Sequence, residues 1–341
     1  MAERVAVLGA AGYVGAVASA LLHRHPHFEL ACVTARSDAG VRLDEVHPRT
    51  RVPLRLEEYD PDRHAEVDAA VVAYPHGASA PVVEELCARG VRVVDLSADF
   101  RLRDRATYED WYGAHAAPSL VGSAVYGLPE LHREEIAGAH LVANPGCYPT
   151  AAILALAPLA RAGLLGDVVI DAKSGVSGAG REPTHSKHFV SVDETVTPYK
   201  VGRHRHTPEI EQELGGGVRV TFTPHLVPIA HGELVSCYVT PRTVAEGERD
   251  EGASRPAGEG DLDVRALYEA YDDEPWVEVV EGPPGMLEVR ETNFCRISVH
   301  ADERTGRIIV FATIDNLWKG TSSQAVQNLN LMFGRDESEG L

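Results

Sequence analysis

Arg4-Val5-Ala6-Val7-Leu8-Gly9-Ala10-Ala11-Gly12-Tyr13-Val14-Gly15 joins an apolar run to a glycine-rich turn. Residues 4–8 have the length and composition of a buried parallel strand, and residues 12–25 have helical character that stops before Pro26. A strand, a G-x-x-G-x-x-G turn and a helix in this order are typical of a dinucleotide-binding unit, in which the helix N-terminus binds a pyrophosphate. The usual second glycine is absent, but Ala10 and Ala11 are small enough for a close backbone approach.

We predict that this turn and the first helical residues contact a dinucleotide; the alternative is a glycine-rich turn that binds no ligand. The predicted contacts are Gly9, Ala11, Gly12, Tyr13, Val14 and Gly15.

The end of the second predicted strand distinguishes two cofactors. A site for NAD usually has Asp or Glu there to bind the ribose 2′-hydroxyl. Here the strand ends at Thr34, and Arg36 and Ser37 follow. An arginine and two hydroxyls suit a 2′-phosphate, so we predict NADP (NADPH) bound by these three residues. Asp38 weakens the prediction, and the alternative for Arg36 is a solvated surface position.

Alternating strands and helices continue through the first 146 residues. Strands are predicted at 29–34, 69–73 and 91–95, with a helix at 80–89, so the fold class is α/β with a doubly wound, Rossmann-type parallel sheet. After Cys147 the pattern changes to many strands and few helices, at 168–172, 219–222, 233–240, 295–300 and 307–314. This pattern predicts a second, α+β region with an open, largely antiparallel or mixed sheet.

Asn144-Pro145-Gly146-Cys147-Tyr148-Pro149-Thr150 places one cysteine on a tight turn at the start of a predicted helix that ends before Gly163. A thiol at this point feels the positive end of the helix dipole, which favours the thiolate. The unpaired N–H groups of the turn could also stabilise an oxyanion on a carbonyl that Cys147 attacks. We therefore predict that Cys147 is a nucleophile. The other four cysteines lie in apolar runs typical of structural thiols: Cys32, Cys87, Cys237 and Cys295.

His204-Arg205-His206-Thr207-Pro208-Glu209-Ile210 carries two histidines two positions apart, just before a predicted helix capped by Thr207. Two imidazoles fixed there could supply a general acid or base near neutral pH. A zinc site is the competing prediction, but no third ligand has suitable spacing, so we expect no metal. A polar loop with two exposed histidines is the other alternative.

The bulk composition excludes several classes of protein. With 341 residues the chain is long enough for two domains, and 44% hydrophobic residues is ordinary for a globular protein. A net charge of −19 argues against nucleic-acid or anionic membrane partners, but not against an anionic small-molecule substrate. Five cysteines without paired spacing and no signal-peptide pattern predict a cytoplasmic protein without disulfides.

Together these motifs resemble the N-acetyl-gamma-glutamyl-phosphate reductase family, within the aspartate-semialdehyde dehydrogenase superfamily. The resemblance covers essentially the whole chain. Besides the motifs above, it rests on residues 95–101 (DLSADFR), 126–130 (YGLPE), 174–181 (SGVSGAGR) and 315–320 (DNLWKG). It implies NADPH-dependent reduction of N-acetylglutamyl 5-phosphate to the 5-semialdehyde, with release of phosphate and a thioester on Cys147, in arginine biosynthesis.

The resemblance also implies roles for individual residues. His204 or His206 is the general base, with His204 slightly preferred. Contacts near the nicotinamide are implied for Ser177, Gly178 and Asn316. Contacts with the substrate are implied for Arg101, Asn144, Ser174, Gly175 and Arg181. The family fold implies a dinucleotide-binding domain, 1–146, joined by the C-terminal helix 318–341, and a catalytic domain, 147–317, in a homodimer or homotetramer.

Two features depart from the family pattern. His231 stands where the family more often has arginine, and the acidic stretch 245–261 has the composition of an inserted surface loop. Three rival functions remain open at this stage: a sister reductase acting on aspartyl phosphate or on a carrier-bound aminoadipyl phosphate, a cysteine hydrolase, and a non-catalytic dinucleotide sensor.

Overall fold

Seven parallel strands form the N-terminal sheet of the computed structural model, which describes residues 2–242 and 263–341. The predicted acidic loop 245–261 lies outside the described residues. The strands are β1 (Glu3–Leu8), β2 (Phe28–Thr34), β3 (Leu56–Glu57), β4 (Ala69–Val72), β5 (Arg92–Asp95), β6 (Val125–Tyr126) and β7 (Leu141–Ala143). Their order is β3-β2-β1-β4-β5-β7-β6, and the predicted doubly wound parallel sheet is confirmed.

Helices cover this sheet: α1 (Tyr13–Arg24), α2 (Leu43–Val46), α3 (Pro61–His64), α4 (Ala80–Ala88), α5 (Arg105–Tyr112) and α6 (Pro129–Ala137). The last helix of the chain, α10 (Ser323–Met332), belongs to the same layer. Its residues Ala325, Val326 and Leu329 are fully buried in one core with Val5 and Leu21. The C-terminal segment therefore packs against the first sheet.

A second sheet of seven strands follows: β8 (Leu165–Gly175), β9 (Thr197–Pro198), β10 (Val220–Val227), β11 (Glu233–Pro241), β12 (Val277–Val279), β13 (Cys295–Asp302) and β14 (Arg307–Ile314). Their order is β12-β13-β14-β11-β8-β10-β9. Two pairs are parallel, β8 with β10 and β12 with β13, and the remaining pairs are antiparallel, so the predicted mixed sheet is confirmed. Short helices α8 (Phe189–Val192) and α9 (Thr207–Leu214) lie between β8 and β10 in the chain.

Helix α7 (Cys147–Arg161) connects the two sheets and carries the candidate nucleophile at its first position. Its residues from Tyr148 to Leu159 are buried, most of them against the second sheet. Pro158 lies inside the helix and has no N–H for the carbonyl of Leu154. The hydroxyl of Tyr271 donates to that carbonyl at 2.7 Å, so the missing helical bond is replaced. Packing and this substitute bond hold the helix, and with it Cys147, in place.

A buried ion pair joins the C-terminal segment to α6. Lys319 Nζ donates to Glu130 Oε1 at 2.6 Å, and neither side chain is exposed. Lys319 lies in a single π-helical turn, Trp318–Ser322, which precedes α10; such turns often occur at functional sites. Over residues 2–242 and 263–341, the structure contains no helix that is both long and apolar enough to span a membrane.

Candidate active site

Cys147 lies at the carboxyl edge of the parallel sheet, where β7 turns into α7. The turn is anchored at both ends. Asn144 N–H donates to the carbonyl of Asp95 at 2.9 Å, and Asn144 Nδ2 donates to the carbonyl of Thr321 at 3.2 Å. The side-chain oxygen of Asn144 accepts from Asn328 at 3.1 Å. Asn144 is therefore fully buried and holds the turn, and its side chain does not reach a ligand cavity as the resemblance implied.

Glu209 clamps the same turn and was not predicted as a site residue. Its Oε1 accepts from the N–H of Gly146 at 2.9 Å and from the hydroxyl of Tyr126 at 2.8 Å. Its Oε2 pairs with Arg101 Nη1 at 3.3 Å. The N–H of Gly146 is thus occupied and does not serve as the predicted oxyanion donor. In the sequence, Glu209 could have been noticed as the acidic residue in the first turn of a helix, between Pro208 and Ile210. Both of these neighbours are buried in the structure.

Arg101 is buried and fully engaged with the protein. Its Nε donates to the carbonyl of Asn144 at 2.8 Å and its Nη2 to the carbonyl of Leu96 at 2.9 Å, in addition to the pair with Glu209. It does not line the cavity around Cys147. The structure therefore makes Arg101 a support of the cysteine turn, which differs from the substrate contact implied by the resemblance.

A cavity of about 730 Å³ brings Cys147 together with both predicted histidines. Its walls also include Ser174, near the end of β8, and Gly178 from the loop after β8. Tyr148, the second residue of α7, packs against both histidines. Its ring centroid lies 5.9 Å from that of His204 and 5.9 Å from that of His206. Three cationic side chains also line the cavity: Lys187, Lys200 and Arg205.

The Cys147 thiol is not a ready thiolate in this structure. Burial raises the pKa of Cys147 well above its ordinary value, and the charge of Glu233 acts in the same direction. The N–H of Tyr148 and the charge of Arg101 lower the pKa but do not reverse the balance. The prediction from the helix dipole did not include burial and a neighbouring carboxyl, which act in the opposite direction.

The pKa values of the two histidines are both lowered, which favours the neutral imidazole. Burial and the charges of Lys200 and Arg205 lower the pKa of His204 to about 4. Burial, His204 and Arg101 lower the pKa of His206 well below its ordinary value. His204 Nδ1 accepts from the backbone N–H of His206 at 3.2 Å, so a neutral His204 carries its proton on Nε2. His204 therefore offers a hydrogen-bond donor rather than a free base.

His206 packs directly on the cysteine turn. A Cβ placed on Gly146 would lie 2.5 Å from His206 Nε2 and 2.9 Å from Arg101 Nη1, so only glycine fits at this position. The Nδ1 atom of His206 is buried and has no hydrogen-bond partner within the described residues. Among the same described residues, no cluster of three or more His, Cys, Asp or Glu side chains has metal-binding geometry.

The glycine-rich turn has the close approaches that its sequence predicts. Gly9 has φ +87°, and a Cβ there would lie 2.6 Å from the carbonyl oxygen of Ala73. A Cβ on Gly15 would lie 2.4 Å from the carbonyl oxygen of Gly9, so helix and turn touch at this point. A Cβ on Gly12 would meet nothing nearer than 3.5 Å, which leaves room for a ligand beside the N-terminus of α1. These features fit a bound pyrophosphate.

A cavity of about 820 Å³ runs from this helix to the second domain. Tyr13 from α1, Ser177 from the loop after β8 and Trp318 from the C-terminal segment line it. Asn316 lies behind the wall: its Nδ2 donates to Ser177 Oγ at 3.0 Å, and its Oδ1 accepts from Gly232 N–H at 2.8 Å. Asn316 therefore positions Ser177 and is itself almost fully buried.

The predicted 2′-phosphate residues differ in their exposure. Thr34 is fully buried, its hydroxyl lies 3.2 Å from the hydroxyl of Tyr74, and its carbonyl accepts from Gly9 and Ala10, so Thr34 holds the turn instead of facing a ligand. Arg36 is exposed and lines a separate cavity of about 540 Å³ with Tyr74. Ser37 is exposed and donates to Asp38 at 2.9 Å.

Arg181 lies on the cofactor side, not beside Cys147. Its Nη1 donates to the carbonyl of Ala11 at 3.2 Å and pairs with Asp38 at 2.8 Å. These bonds from Arg181 and Ser37 lower the pKa of Asp38, so its carboxylate is already occupied. Arg181 therefore joins the loop after β8 to the dinucleotide turn, in place of the implied substrate contact.

Two further positions support the loop after β8. Gly175 is implied as a substrate contact, but a Cβ there would lie 2.7 Å from the Cα of His231, so the residue permits a close approach of two segments. His231 Nδ1 lies 2.6 Å from Asp315 Oδ2, and His231 lines the cofactor-side cavity. His231 therefore faces the dinucleotide side, away from the Cys147 cavity.

Two family models match the chain in succession. The model for the semialdehyde dehydrogenase NAD binding domain matches residues 4–139, and the model for the semialdehyde dehydrogenase dimerisation domain matches residues 147–316. Among solved structures, aspartate semialdehyde dehydrogenase II from Vibrio cholerae complexed with ASA aligns with a TM-score of 0.72 at 17% identity, over 98% of this chain and 99% of that one. Aspartate semialdehyde dehydrogenase with NADP from Candida albicans aligns with a TM-score of 0.70 at 14% identity, over 98% and 99%. At these identities the likeness shows the fold alone.

Proteins of similar sequence are considerably closer. The N-acetyl-gamma-glutamyl-phosphate reductase of Desulforudis audaxviator is 49% identical over 99% of this chain and 97% of its own length. The protein of the same name from Syntrophobacter fumaroxidans is 48% identical over the same shares. The chain therefore belongs to the N-acetyl-gamma-glutamyl-phosphate reductase family, a group of oxidoreductases built from semialdehyde dehydrogenase domains.

Proposed function

We propose that this enzyme reduces N-acetyl-L-glutamyl 5-phosphate to N-acetyl-L-glutamate 5-semialdehyde with NADPH, releasing phosphate, as a step of arginine biosynthesis. The names of its relatives support the substrate. The observation that carries the chemistry is the position of Cys147: it begins a buried helix and lines one cavity with two histidines. Lys187 lines both this cavity and the second cavity, which reaches Tyr13 at the start of α1.

Covalent catalysis divides the reaction into two steps. Cys147 sulfur attacks the acyl carbon, the bond to phosphate breaks, and a thioester on Cys147 results. A bound reduced nicotinamide supplies the hydride in such a reaction. Once the acyl carbon has been reduced, the sulfur leaves and the aldehyde is free. The chain's own task is to hold Cys147, the acyl oxygen and the leaving phosphate in fixed positions, and to exclude water from the thioester.

We propose that His204 donates a hydrogen bond to the acyl oxygen. Because the N–H of Gly146 is held by Glu209, the cysteine turn lacks one of its expected oxyanion donors. His204 lines the cavity and, as a neutral imidazole with Nδ1 engaged, presents Nε2–H. A donor aimed at a developing oxyanion typically stabilises the transition state by about 2.7–4 kcal/mol. His206, whose Nδ1 has no partner among the described residues, remains available for proton exchange with the departing groups.

Lys200 and Arg205 form the anion subsite in this proposal. Both line the Cys147 cavity, and the Arg205 guanidinium lies 5.1 Å from the ring centroid of Tyr112. Burial, followed by the charge of Arg205, lowers the pKa of Lys200. The proposed substrate carries a carboxylate and a phosphate, so two cations that line one cavity suit it.

Replacing Lys200 by alanine is therefore expected to raise KM for the acyl phosphate with little change in NADPH binding. A hydrogen bond to a charged group contributes about 1.5–3 kcal/mol, which corresponds to about 10- to 100-fold in kcat/KM. Steady-state kinetics with each substrate varied in turn measures the effect. Arg203→Ala is the matched control, since Arg203 is exposed and pairs with Asp110 outside the cavity. A Lys200→Ala enzyme with unchanged KM would remove Lys200 from the subsite.

We propose NADP rather than NAD as the cofactor, because Arg36 is exposed beside Tyr74 while Asp38 is already paired with Arg181. Arg36→Ala is expected to weaken NADPH binding by about 10- to 100-fold, the value of a charge-assisted bond, and to leave NADH binding nearly unchanged. Fluorescence titration with both cofactors measures this. Arg89→Ala, which alters an exposed arginine paired with Asp62 and Glu85, serves as the control. Equal losses for NADPH and NADH would contradict the assignment.

We also infer a cytoplasmic homo-oligomer. All five cysteines are free thiols, as a reducing compartment requires. Four large apolar side chains of the segment 189–201 are each more than half exposed: Phe189, Val190, Val196 and Val201. Such a patch is typical of a protein interface, and we propose that a second copy of the chain covers it. Sedimentation of Phe189→Asp beside the wild type tests this, since a monomer is expected only for the variant.

A substrate panel tests the function itself. NADPH oxidation is expected with N-acetylglutamyl 5-phosphate and at most weakly with aspartyl phosphate. A preference for aspartyl phosphate would favour the sister reductase. Hydrolysis of the acyl phosphate at full rate without NADPH would favour a cysteine hydrolase, and binding of NADPH without any turnover would favour a sensor.

A further inference from the structure

The π-helical turn Trp318–Ser322 connects the first domain to the helix that carries the nucleophile. Two backbone bonds of the π type, from residue i to residue i−5, close it. Gly320 N–H donates to the carbonyl of Asp315, and Ser322 N–H donates to the carbonyl of Leu317, each at 2.9 Å. The turn packs against α1, α7 and α10. Because π turns are rare and often occur at functional sites, the contacts of this one are informative.

Gly320 packs directly on Cys147. A Cβ placed on Gly320 would lie 2.9 Å from the Cβ of Cys147, closer than side-chain carbons approach in proteins, so glycine alone fits without a shift. The next residue of the π turn holds the other side of the cysteine turn, since the carbonyl of Thr321 accepts from Asn144 Nδ2 at 3.2 Å. The position of the π turn therefore determines where the Cys147 side chain lies.

Ser322 attaches the same π turn to the dinucleotide side. Its hydroxyl donates to the carbonyl of Val14, in the first turn of α1, at 2.9 Å. Trp318, the first residue of the π turn, lines the cavity beside α1. One short segment therefore contacts both the nucleophile and the helix that begins at the dinucleotide turn.

Lys319 anchors the π turn from within the first domain. Its ammonium donates to Glu130 Oε1 at 2.6 Å and to Gln327 Oε1 at 2.8 Å, and Lys319 is 0% exposed. Gln327 is itself fixed, because it accepts from Asn293 at 3.0 Å and donates to Glu337 at 2.7 Å. Lys319 lines neither of the two large cavities. Apolar side chains often stabilise a fold as well as a buried ion pair does, so the single geometry that the pair imposes explains it better.

We propose that Lys319 is a positioning residue: its bond to Glu130 holds the π turn against Cys147 and so places the sulfur for attack on the acyl carbon. This rests on the proposed thioester chemistry. Without the ammonium, the π turn loses its bonds to Glu130 and Gln327, and Gly320 no longer confines the Cys147 side chain. A displacement of about 1 Å in a reacting group can lower the rate about 100-fold.

Lys319→Met, which keeps the length of the side chain and removes its charge, tests the proposal. We expect kcat to fall about 100-fold. KM for the acyl phosphate is expected to stay near the wild-type value, because Lys200 and Arg205 lie outside the π turn. Alkylation of Cys147 by iodoacetamide, without substrate or cofactor and followed by peptide mapping, is expected to become faster, because a released turn leaves the thiol more accessible. Turnover and alkylation therefore change in opposite directions.

Leu86→Ala is the matched control for a purely structural role. Leu86 is fully buried in α4, on the face of the first sheet opposite to α1 and α10, and it lines neither large cavity. Its truncation is expected to lower the melting temperature to an extent comparable with Lys319→Met. Below the melting temperatures of both variants, Leu86→Ala is expected to keep the wild-type kcat and the wild-type alkylation rate.

Gly320→Ala tests the contact with Cys147 while it keeps the ion pair. The added methyl group meets the Cβ of Cys147, so kcat is expected to fall while KM stays near the wild-type value. Circular dichroism verifies that each variant is folded, and Gly320→Ala decides the question if Lys319→Met does not fold.

Two results would overturn the proposal: a wild-type kcat in either folded variant, or alkylation of Lys319→Met at the rate of Leu86→Ala. Failure of the proposed function is a different outcome, because the wild-type enzyme would then not reduce the acyl phosphate. The alkylation rates need no turnover, so they would still test whether Lys319 holds the π turn on Cys147.

Discussion

Cys147→Ala is expected to lose NADPH-dependent reduction of the acyl phosphate by about 10⁴-fold or more, the usual consequence of removing a covalent nucleophile. NADPH binding is expected to persist, because the glycine-rich turn and the cavity beside α1 have no contact with this side chain. The measurement is steady-state turnover beside a fluorescence titration with NADPH. Alanine is small and helix-favouring, so the N-terminus of α7 remains intact.

Cys87→Ala is the matched control for Cys147→Ala. Cys87 is a half-buried thiol in α4, outside both large cavities, and burial raises its pKa to about 11. The control is expected to retain wild-type turnover. Turnover that survives in Cys147→Ala, or that disappears equally in Cys87→Ala, would contradict the nucleophile assignment.

Glu209→Ala is expected to lower both stability and turnover. The substitution leaves Arg101, which is 5% exposed, without its carboxylate, and it removes the acceptor of the Gly146 N–H. Removing one partner of a buried ion pair typically costs about 3–5 kcal/mol in the free energy of unfolding. Urea unfolding measures this cost. The exposed pair Arg105–Glu109 is the control, and Glu109→Ala is expected to cost far less, because solvent screens an ion pair at the surface.

The double variant Arg101→Met, Glu209→Leu separates stability from catalysis. Replacing both charges by apolar side chains removes the unpaired buried charge, so much of the stability is expected to return. Turnover is expected to stay low, because the Gly146 N–H still lacks its acceptor and the cysteine turn loses its anchor. A double variant with wild-type turnover would show that the Glu209 clamp does not position Cys147.

The sequence predicted the parts of the fold that depend on local signals. The first strand was expected at 4–8 and extends over Glu3–Leu8, and the following helix, expected at 12–25, is Tyr13–Arg24. The two-residue strands β3 and β6 were not predicted, because a pair of residues carries no periodicity and is held only by its partner strand. The burial of the polar face of α10 was not predicted either. Gln324 and Asn328 are fully buried, and both donate to the carbonyl of Gly127.

The candidate site shows the same division between local and distant causes. The position of Cys147 at a helix start followed from Pro149 and the flanking glycines, which are neighbours in the chain. Its raised pKa did not, because Glu233 and the depth of burial come from β11 and the fold around it. Arg101 and Arg181 were implied as ligand contacts from their motifs, but only the folded chain shows their partners, Glu209 and Asp38.

The central claim is that Cys147 carries the acyl group between release of phosphate and reduction. The direct measurement is intact-protein mass spectrometry, followed by peptide mapping, of enzyme mixed with the acyl phosphate in the absence of NADPH. The account predicts one acyl adduct on the peptide that contains Cys147, matched by one phosphate released per chain and discharged when NADPH is added. Release of phosphate without an adduct, or an adduct on another residue, would contradict it.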